Sequence, residues 1–552
     1  MRSRLVAALT VALLVVGFAL VAGGAAAEVD DEYTPISECA ATPPDNFSDP
    51  DDTEIGWVDG YWYNESIDVE QGDTLTDDDL DAVVARSMAR VEAIRCLEFE
   101  DDVPVDVIDR EEFQEEQAGF EPDDDLRTFD NARYKALFMV GDDEDSVEVM
   151  LDNRGDAVGG YYAPAENRIV LVSDDPDELT IEEVTLGHEL GHALQDQHFN
   201  LSRFTAETTD GNAAELGLIE GDVVHVENIY AENCDEEWDC LEEDSDPPDT
   251  DDIHMGLYLT MFQPYNDGPV WAEALRDRGE GEWDELDSAY DAPPNTTEQI
   301  IYPDRYLDVE PRNVTIDDRN DPDEWDRVSV DGEDAHDRFG QAAIVSMFVY
   351  PTYHSEGTTE IISAESWLNV DEGDDQEPVQ PLDFDQPQGD GWDGDRFHAY
   401  ENDDEIGYVW QTAWESEADA RVFVSSYQRL LDYWGGERIA ENDTTYVYEI
   451  PPHESFAGVY HVDFDGDEVR IVHAPSEADL PLIYENATVD DLDDVGDDPT
   501  PIATPTPVGT PTPTNDTGGV ADGVADETVP GFGLVAVALV AVAGMLAAVR
   551  RR

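Results

Sequence analysis

His188-Glu189-Leu190-Gly191-His192 carries the most specific chemical pattern in the chain. On a helix, residues i and i+4 lie on one face, so two neutral imidazoles at this spacing can bind one Zn2+ at about 2.0–2.1 Å each. Glu189 then reaches the water on such an ion rather than the ion itself. The ion lowers that water's pKa toward about 7, and a neighbouring carboxylate can take its proton as general base and pass it to a leaving amine, which is the chemistry of peptide-bond hydrolysis. The competing reading is a chance pentapeptide on an ordinary amphipathic helix. A catalytic zinc also needs a third protein ligand and one open position. Glu220, in Leu218-Ile219-Glu220-Gly221-Asp222, is the expected third ligand, with Glu215, His225 and Glu227 as rivals in the same stretch. His198 is expected off the ligand face, capping or packing. Asp222 or Asp210 is a candidate hydrogen-bond acceptor for a ligand imidazole.

These side chains need a helix to hold them, and the local signals supply one. Thr180-x-x-Glu183 has capping-box spacing, and Ile181, Val184, Leu190 and Leu194 run on through the helix it would open. Just before it, Tyr161-Tyr162, a turn-like Pro164–Asn167 and a strand Arg168–Val172 read as a hairpin. Upstream, Leu80, Val83, Val84, Met88, Val91 and Ile94 recur at helical spacing, and Val103–Ile108 reads as a strand. Leu216, Ile219, Val223, Val226 and Ile229 predict a further helix after Asp210-Gly211, long enough to bring Glu220 round to the metal. Residues 253–310 read as mainly helical. Residues 330–480 mix helices (339–349, 418–433) with strands (445–450, 458–462, 469–472). The expected fold class is α+β, with a small sheet beside the active helix. The chain divides into 1–27 signal peptide, 28–78 acidic extension, 79–310 catalytic domain, 311–490 α+β C-terminal region, 491–529 Thr/Pro-rich acidic stalk and 530–552 sorting signal with transmembrane segment.

Composition sets the environment. Asp and Glu number 135 against 27 Lys plus Arg in 552 residues, a formal net charge of −108, and Lys135 is the only lysine. Yet 40% of residues are hydrophobic and 11 are Trp, a supply that disordered acidic chains lack, so a folded protein with an acidic surface is expected. Such a surface repels itself at low salt and is screened in brine, where the Debye length falls to about 3 Å at 1 M. The charge argues against nucleic acid as a partner, because phosphate binding needs clustered Lys and Arg.

Both ends read as addresses. Arg2 and Arg4, an apolar run from Leu5 to about Val21 and the small residues Ala25-Ala26-Ala27 match a secretory signal cleaved after Ala27, with an uncleaved anchor as the alternative. Residues 499–514 form a Thr/Pro-rich spacer. Pro530-Gly531-Phe532, an apolar segment Gly533–Val549 and Arg550-Arg551-Arg552 follow, placing that end on the cytoplasmic side and the body outside. Cys39, Cys96, Cys234 and Cys240 are an even set in an exported chain. Two disulfides are expected, with Cys39–Cys96 and Cys234–Cys240 preferred among three pairings. Asn-x-Ser/Thr sequons at Asn46, Asn64, Asn200, Asn295, Asn313, Asn442, Asn486 and Asn515 agree with an exterior location.

The run from His188 to Phe199, His-Glu-Leu-Gly-His-Ala-Leu-Gln-Asp-Gln-His-Phe, followed by Leu218-Ile219-Glu220-Gly221-Asp222, resembles the gluzincin type of zinc peptidase. More narrowly it is similar to a family of haloarchaeal surface proteins. Further blocks fit that family: Gly160-Tyr-Tyr-x-Pro164, Pro264-Tyr-Asn-Asp-Gly268, Pro293–Gln299, Gly391-Trp-x-Gly-Asp-Arg396 and Ala413–Asp419. The resemblance spans roughly residues 80–480. It implies a zincin-like catalytic domain, Zn2+ held by His188, His192 and Glu220, and Glu189 as base. The Pro-Gly-Phe tail resembles a sorting signal that an archaeosortase exchanges for a lipid anchor, with a plain transmembrane tail as the alternative. Where such proteins often show His-Pro, this chain has Tyr302-Pro303, so no metal role is assigned there. His336, Tyr161 and Tyr265 are the candidates for stabilising an oxyanion.

Two functions from different classes follow. One is a surface-anchored zinc peptidase acting on protein or peptide substrates, with the cytoplasmic membrane and a sorting enzyme as partners. The other is a catalytically silent envelope or surface-layer binding protein that keeps the same fold. Asp463-Phe-Asp-Gly-Asp467 opens like a calcium loop, but Ala474 stands where the bidentate Glu belongs, so an acidic turn is expected. The Trp and Tyr residues of 391–433 are expected in the core.

Overall fold

Helix α1 (Asp77–Arg95) opens with a capping box, Thr76 accepting the Asp79 N–H while the Asp79 carboxylate accepts the Thr76 N–H, and closes on Cys96 in the left-handed conformation. From Ala82 onward its side chains are buried, as in a helix run through the middle of a core. The computed structural model describes residues 39–494 except 45, 51–52, 70, 73, 119–121, 156–157, 174, 177–178, 243–252, 280, 370–378, 404 and 491. The expected signal peptide, nearly all of the stalk and the C-terminal apolar segment lie outside the described residues. Among the described residues no helix is long and apolar enough to cross a membrane.

The architecture is α+β. β1 (Val105–Asp109), β2 (Gly160–Ala163) and β3 (Arg168–Ser173) form a sheet in the order β1-β3-β2, with β1 parallel and β2 antiparallel to β3. Helices α2 (Arg110–Ala118), α3 (Asp124–Ala136) and α4 (Ser146–Gly155) link β1 to β2. After β3 come α5 (Glu183–Phe199), α6 (Thr209–Glu236), α7 (Met255–Arg278), α8 (Asp284–Asp291) and α9 (Thr297–Ile301). Helices α6 and α7 cross backbone against backbone. A Cβ added at Gly221 would stand 2.4 Å from the Gly268 carbonyl oxygen, and one at Gly268 would stand 2.6 Å from that of Gly217. Only glycines admit that approach, and Glu220 sits in the middle of it.

The C-terminal region is an eight-stranded antiparallel sheet built from β4 (Asp326–Arg327), β5 (Trp392–Asn402), β6 (Glu405–Trp414), β7 (Glu437–Glu441), β8 (Thr445–Ile450), β9 (Gly458–Asp465), β10 (Glu468–Ala474) and β11 (Asp493–Asp494). Their order is β11-β7-β8-β9-β10-β6-β5-β4. Helices α10 (Gly340–His354) and α12 (Glu417–Tyr433), with the short α11 (Ala364–Trp367) and α13 (Leu480–Ile483), pack around it. The strands expected near 445, 458 and 469 are β8, β9 and β10. The longest pair, β5 and β6, has no period-two pattern to announce it, because most side chains on both of its faces are buried. Trp392, Trp410 and Trp414 lie in that core. The largest apolar cluster joins α3, the first half of α7, α10, α12 and the sheet, while a second joins α1, β3, α5, α6 and α8. The disulfides are Cys39–Cys96 and Cys234–Cys240, with Cα atoms 5.7 and 5.5 Å apart.

Candidate metal centre

Helix α5 follows β3 closely and packs against β2 and α6. Its N-cap is Glu182, whose carboxylate accepts the Thr185 N–H at 2.5 Å. The capping box expected between Thr180 and Glu183 is therefore not the one formed. Glu183 turns inward, fully buried, to accept from Arg86 (2.7 Å), Arg90, Ser87 (3.2 Å), the Tyr230 hydroxyl (2.8 Å) and the Leu241 N–H (3.0 Å). Two buried guanidiniums from α1 outcompete a solvent-facing cap for that carboxylate, because an unpaired buried charge is costly on either side. At the other end Asn200 takes the left-handed conformation and stops the helix.

One turn apart on this helix, His188 and His192 meet edge to face with their Nε2 atoms 3.1 Å apart. Glu220 on α6 brings Oε2 to 3.3 Å from His192 Nε2 and 3.6 Å from His188 Nε2. The three donor atoms lie within 4.8 Å of one another, and none of these side chains nor that of Glu189 is more than 3% exposed. Gly191, between the histidines, is where α5 meets α6: a Cβ there would stand 3.1 Å from Val223 Cγ1. Both oxygens of Glu189 and both of Glu220 are buried without a well-formed hydrogen bond.

The imidazoles are turned by partners on their far sides. His188 Nδ1 lies 2.8 Å from Glu227 Oε2, and since a carboxylate only accepts, Nδ1 carries the proton there. His192 Nδ1 lies 3.1 Å from Gln195 Oε1. Burial opposes charge on His188, but Glu220 and Glu227 outweigh it and draw its pKa well above the ordinary value. Burial also opposes ionisation of Glu220, and His192 and His188 outweigh that, holding its carboxyl at about 2. Burial pushes the Glu189 carboxyl up. The carboxylates around the two imidazoles thus favour positive charge on them.

A tetrahedral ion with ligands at 2.0–2.1 Å separates them by roughly 3.3–3.4 Å. The observed edges of 3.1, 3.3 and 3.6 Å match within a few tenths of an ångström. Two nitrogens and one carboxylate oxygen at these separations could hold a metal ion.

The structure sorts the rival residues. Glu227 orients His188, whereas Glu215 accepts the Ala206 N–H at 2.9 Å. His225 turns to Arg276 at 2.6 Å, and burial with that guanidinium presses its pKa to about 3. His198 bonds the Glu98 carbonyl at 2.8 Å. Asp222 reaches His192 only through Gln195 Nε2, at 3.2 Å. Asp210 is elsewhere, held by Thr297 and Arg338. Tyr161 packs on Phe113, Tyr265 against the larger apolar core, and His336 beside Arg396. Asp463–Asp467 is the end of β9 and the two-residue turn into β10, with Gly466 at positive φ and Asp467 paired with Arg312. Gln195 was not anticipated, although its place one turn beyond His192 is the spacing at which a helical neighbour reaches an imidazole.

A family model described as a domain of unknown function, DUF8575, matches residues 326–484, the sheet region that lies outside the His-His-Glu cluster. No curated protein and no solved structure matches the chain.

Proposed function

We propose that the protein is a zinc-dependent peptidase of zincin type, exported and held at the cell surface, hydrolysing peptide bonds in proteins or peptides. The observation that carries this reading is the convergence of His188, His192 and Glu220 on one point beside a bare, buried Glu189 carboxylate. Zn2+ bound by these three residues would supply Lewis acidity toward a carbonyl and toward water. Glu189 Oε1 and Oε2 would accept the proton of the attacking water and return it to the leaving amine. Glu227 holds the His188 ring from behind. Two disulfides support an oxidising exterior, and the acidic surface supports work in concentrated salt. The terminal segments support export and anchoring to the cytoplasmic membrane, by a retained helix or by a lipid after sorting.

The closure of the site favours a second reading, a silent envelope protein with a structural metal, since a substrate reaches these buried side chains only after surrounding elements part. Metal content and proteolysis of a casein-type substrate in high salt, for wild type and Glu189→Gln side by side, separate the two. About one zinc per chain in both proteins, with cleavage lowered about 10²–10⁴-fold in the variant, is the expected result. Zinc without cleavage in either protein favours the silent reading, and folded wild type without zinc removes both.

A further inference from the structure

We infer that Gln195 is the positioning residue that makes His192 a metal ligand, fixing which of its ring nitrogens carries the proton. The inference rests on the metal centre proposed above.

Gln195 is 3% exposed on α5. Its side-chain amide has one accepting and one donating end, and which end faces which way is decided by the neighbours. Nε2 is surrounded by oxygens: Ile219 O at 2.9 Å, Asp222 Oδ2 at 3.2 Å and the Tyr290 hydroxyl at 2.7 Å. Tyr290 gives its own hydrogen to Asp222 Oδ2 at 2.7 Å, so toward Gln195 it offers only a lone pair. A half-turn of the amide would place Oε1 among three oxygens, with the donors at Nε2 lost from all of them. The accepting end therefore faces His192 Nδ1 at 3.1 Å. An acceptor there requires the proton on Nδ1, which leaves the Nε2 lone pair aimed at His188 and Glu220.

The amide is itself held from a distance. Arg95 on α1 grips Asp222 with Nε at 2.9 Å and Nη2 at 3.2 Å, and lies over the Trp283 ring at 4.3 Å. Contacts thus run from α1 through α6 to the ring of His192. The two ligand imidazoles differ in kind: His188 leans on a carboxylate, while His192 leans on a neutral amide that adds no further negative charge to a buried site already holding Glu189 and Glu220.

The experiment measures zinc affinity of the full chain in high salt, by competition with a chelator, together with imidazole 15N shifts of histidine-labelled protein. Gln195→Met keeps length and bulk but removes both ends of the amide. It is expected to weaken zinc about 10–100-fold, as loss of a ligand's hydrogen-bond partner typically does, and to shift the His192 resonances. Gln195→Glu keeps an acceptor but has no N–H for Asp222 and Ile219, and is expected to fall short of wild type as well. Should Gln195→Met fail to fold, Tyr290→Phe, which removes one hydroxyl from the same network, is expected to weaken zinc by a smaller factor and carries the test. Equal affinity and unmoved His192 resonances in folded Gln195→Met, or in Tyr290→Phe where that variant stands in, overturn the inference while the metal centre survives. No zinc on folded wild type overturns the metal centre and the inference with it.

Discussion

The start and the middle of helix α5 treat buried carboxylates in opposite ways. Glu183, at the start, meets two guanidiniums, two hydroxyls and a backbone N–H, so both of its oxygens are occupied several times over. Glu189, six residues on, and Glu220 from α6 are as deeply buried, yet Glu220 has the imidazoles of His192 and His188 at 3.3 and 3.6 Å in place of guanidiniums, and neither carboxylate makes a well-formed hydrogen bond. Burying a carboxylate without partners is among the most expensive things a fold can do. Arginines were within reach, since α1 delivers Arg86 and Arg90 to one end of the helix and Arg95 to Asp222 near the other. This contrast between Glu183 and its two less compensated neighbours is what supports the cation proposed for that place.

The strongest way to break this contrast is Arg90→Met. If compensation at Glu183 is what the fold needs, the variant loses about 3–5 kcal/mol in denaturant melts in high salt, and the surviving folded protein binds zinc as before. A loss below about 1 kcal/mol would mean that under-compensated carboxylates are cheap in this core, and the bare oxygens of Glu189 and Glu220 would no longer be diagnostic. Gly221→Ala sharpens the other side. Its methyl cannot be accommodated against the Gly268 backbone without moving α6, so a loss of about 1–3 kcal/mol is expected together with weaker zinc binding, because Glu220 rides on the displaced segment. Unchanged zinc affinity in that variant would show that the helix crossing does not set the ligand.

How far these two ends could be read from the sequence differs for a physical reason. His188, Glu189 and His192 were legible because the i, i+4 relation is fixed by helix geometry alone. Glu220 was legible only as one acid among several on its helix, and the α6–α7 crossing at Gly217, Gly221 and Gly268 places it. Glu227 read as a rival ligand, although two turns beyond Glu220 it shares that face and reaches the outer nitrogen of His188. Thr180 and Glu183 have the spacing of a cap, yet the partners that claim Glu183 lie 97 and 93 positions away in Arg86 and Arg90, beyond any local pattern. The small sheet and the β8–β10 meander announced themselves, whereas β5 and β6, buried on both faces, did not.

Glu92 on α1 tests the rung between these extremes, with an effect confined to one pH window. It is 3% exposed, and its carboxylate accepts the backbone N–H of Gly56 at 3.0 Å and of Phe99 at 2.9 Å. Burial pushes its carboxyl from 4.5 up to about 7, against the pull of those two N–H groups. Between those values the unfolded chain has lost the proton and the folded chain keeps it, so the folded state binds more protons and stability falls as pH rises through the window. Glu92→Gln removes the titration while keeping one acceptor. Its melting temperature should fall less than that of wild type between pH 4.5 and 8 at fixed salt. Parallel curves would mean that two backbone donors suffice to keep a buried carboxylate ionised here. The contrast along α5 would then turn on hydrogen-bond donors of any kind, with no special part for the arginines.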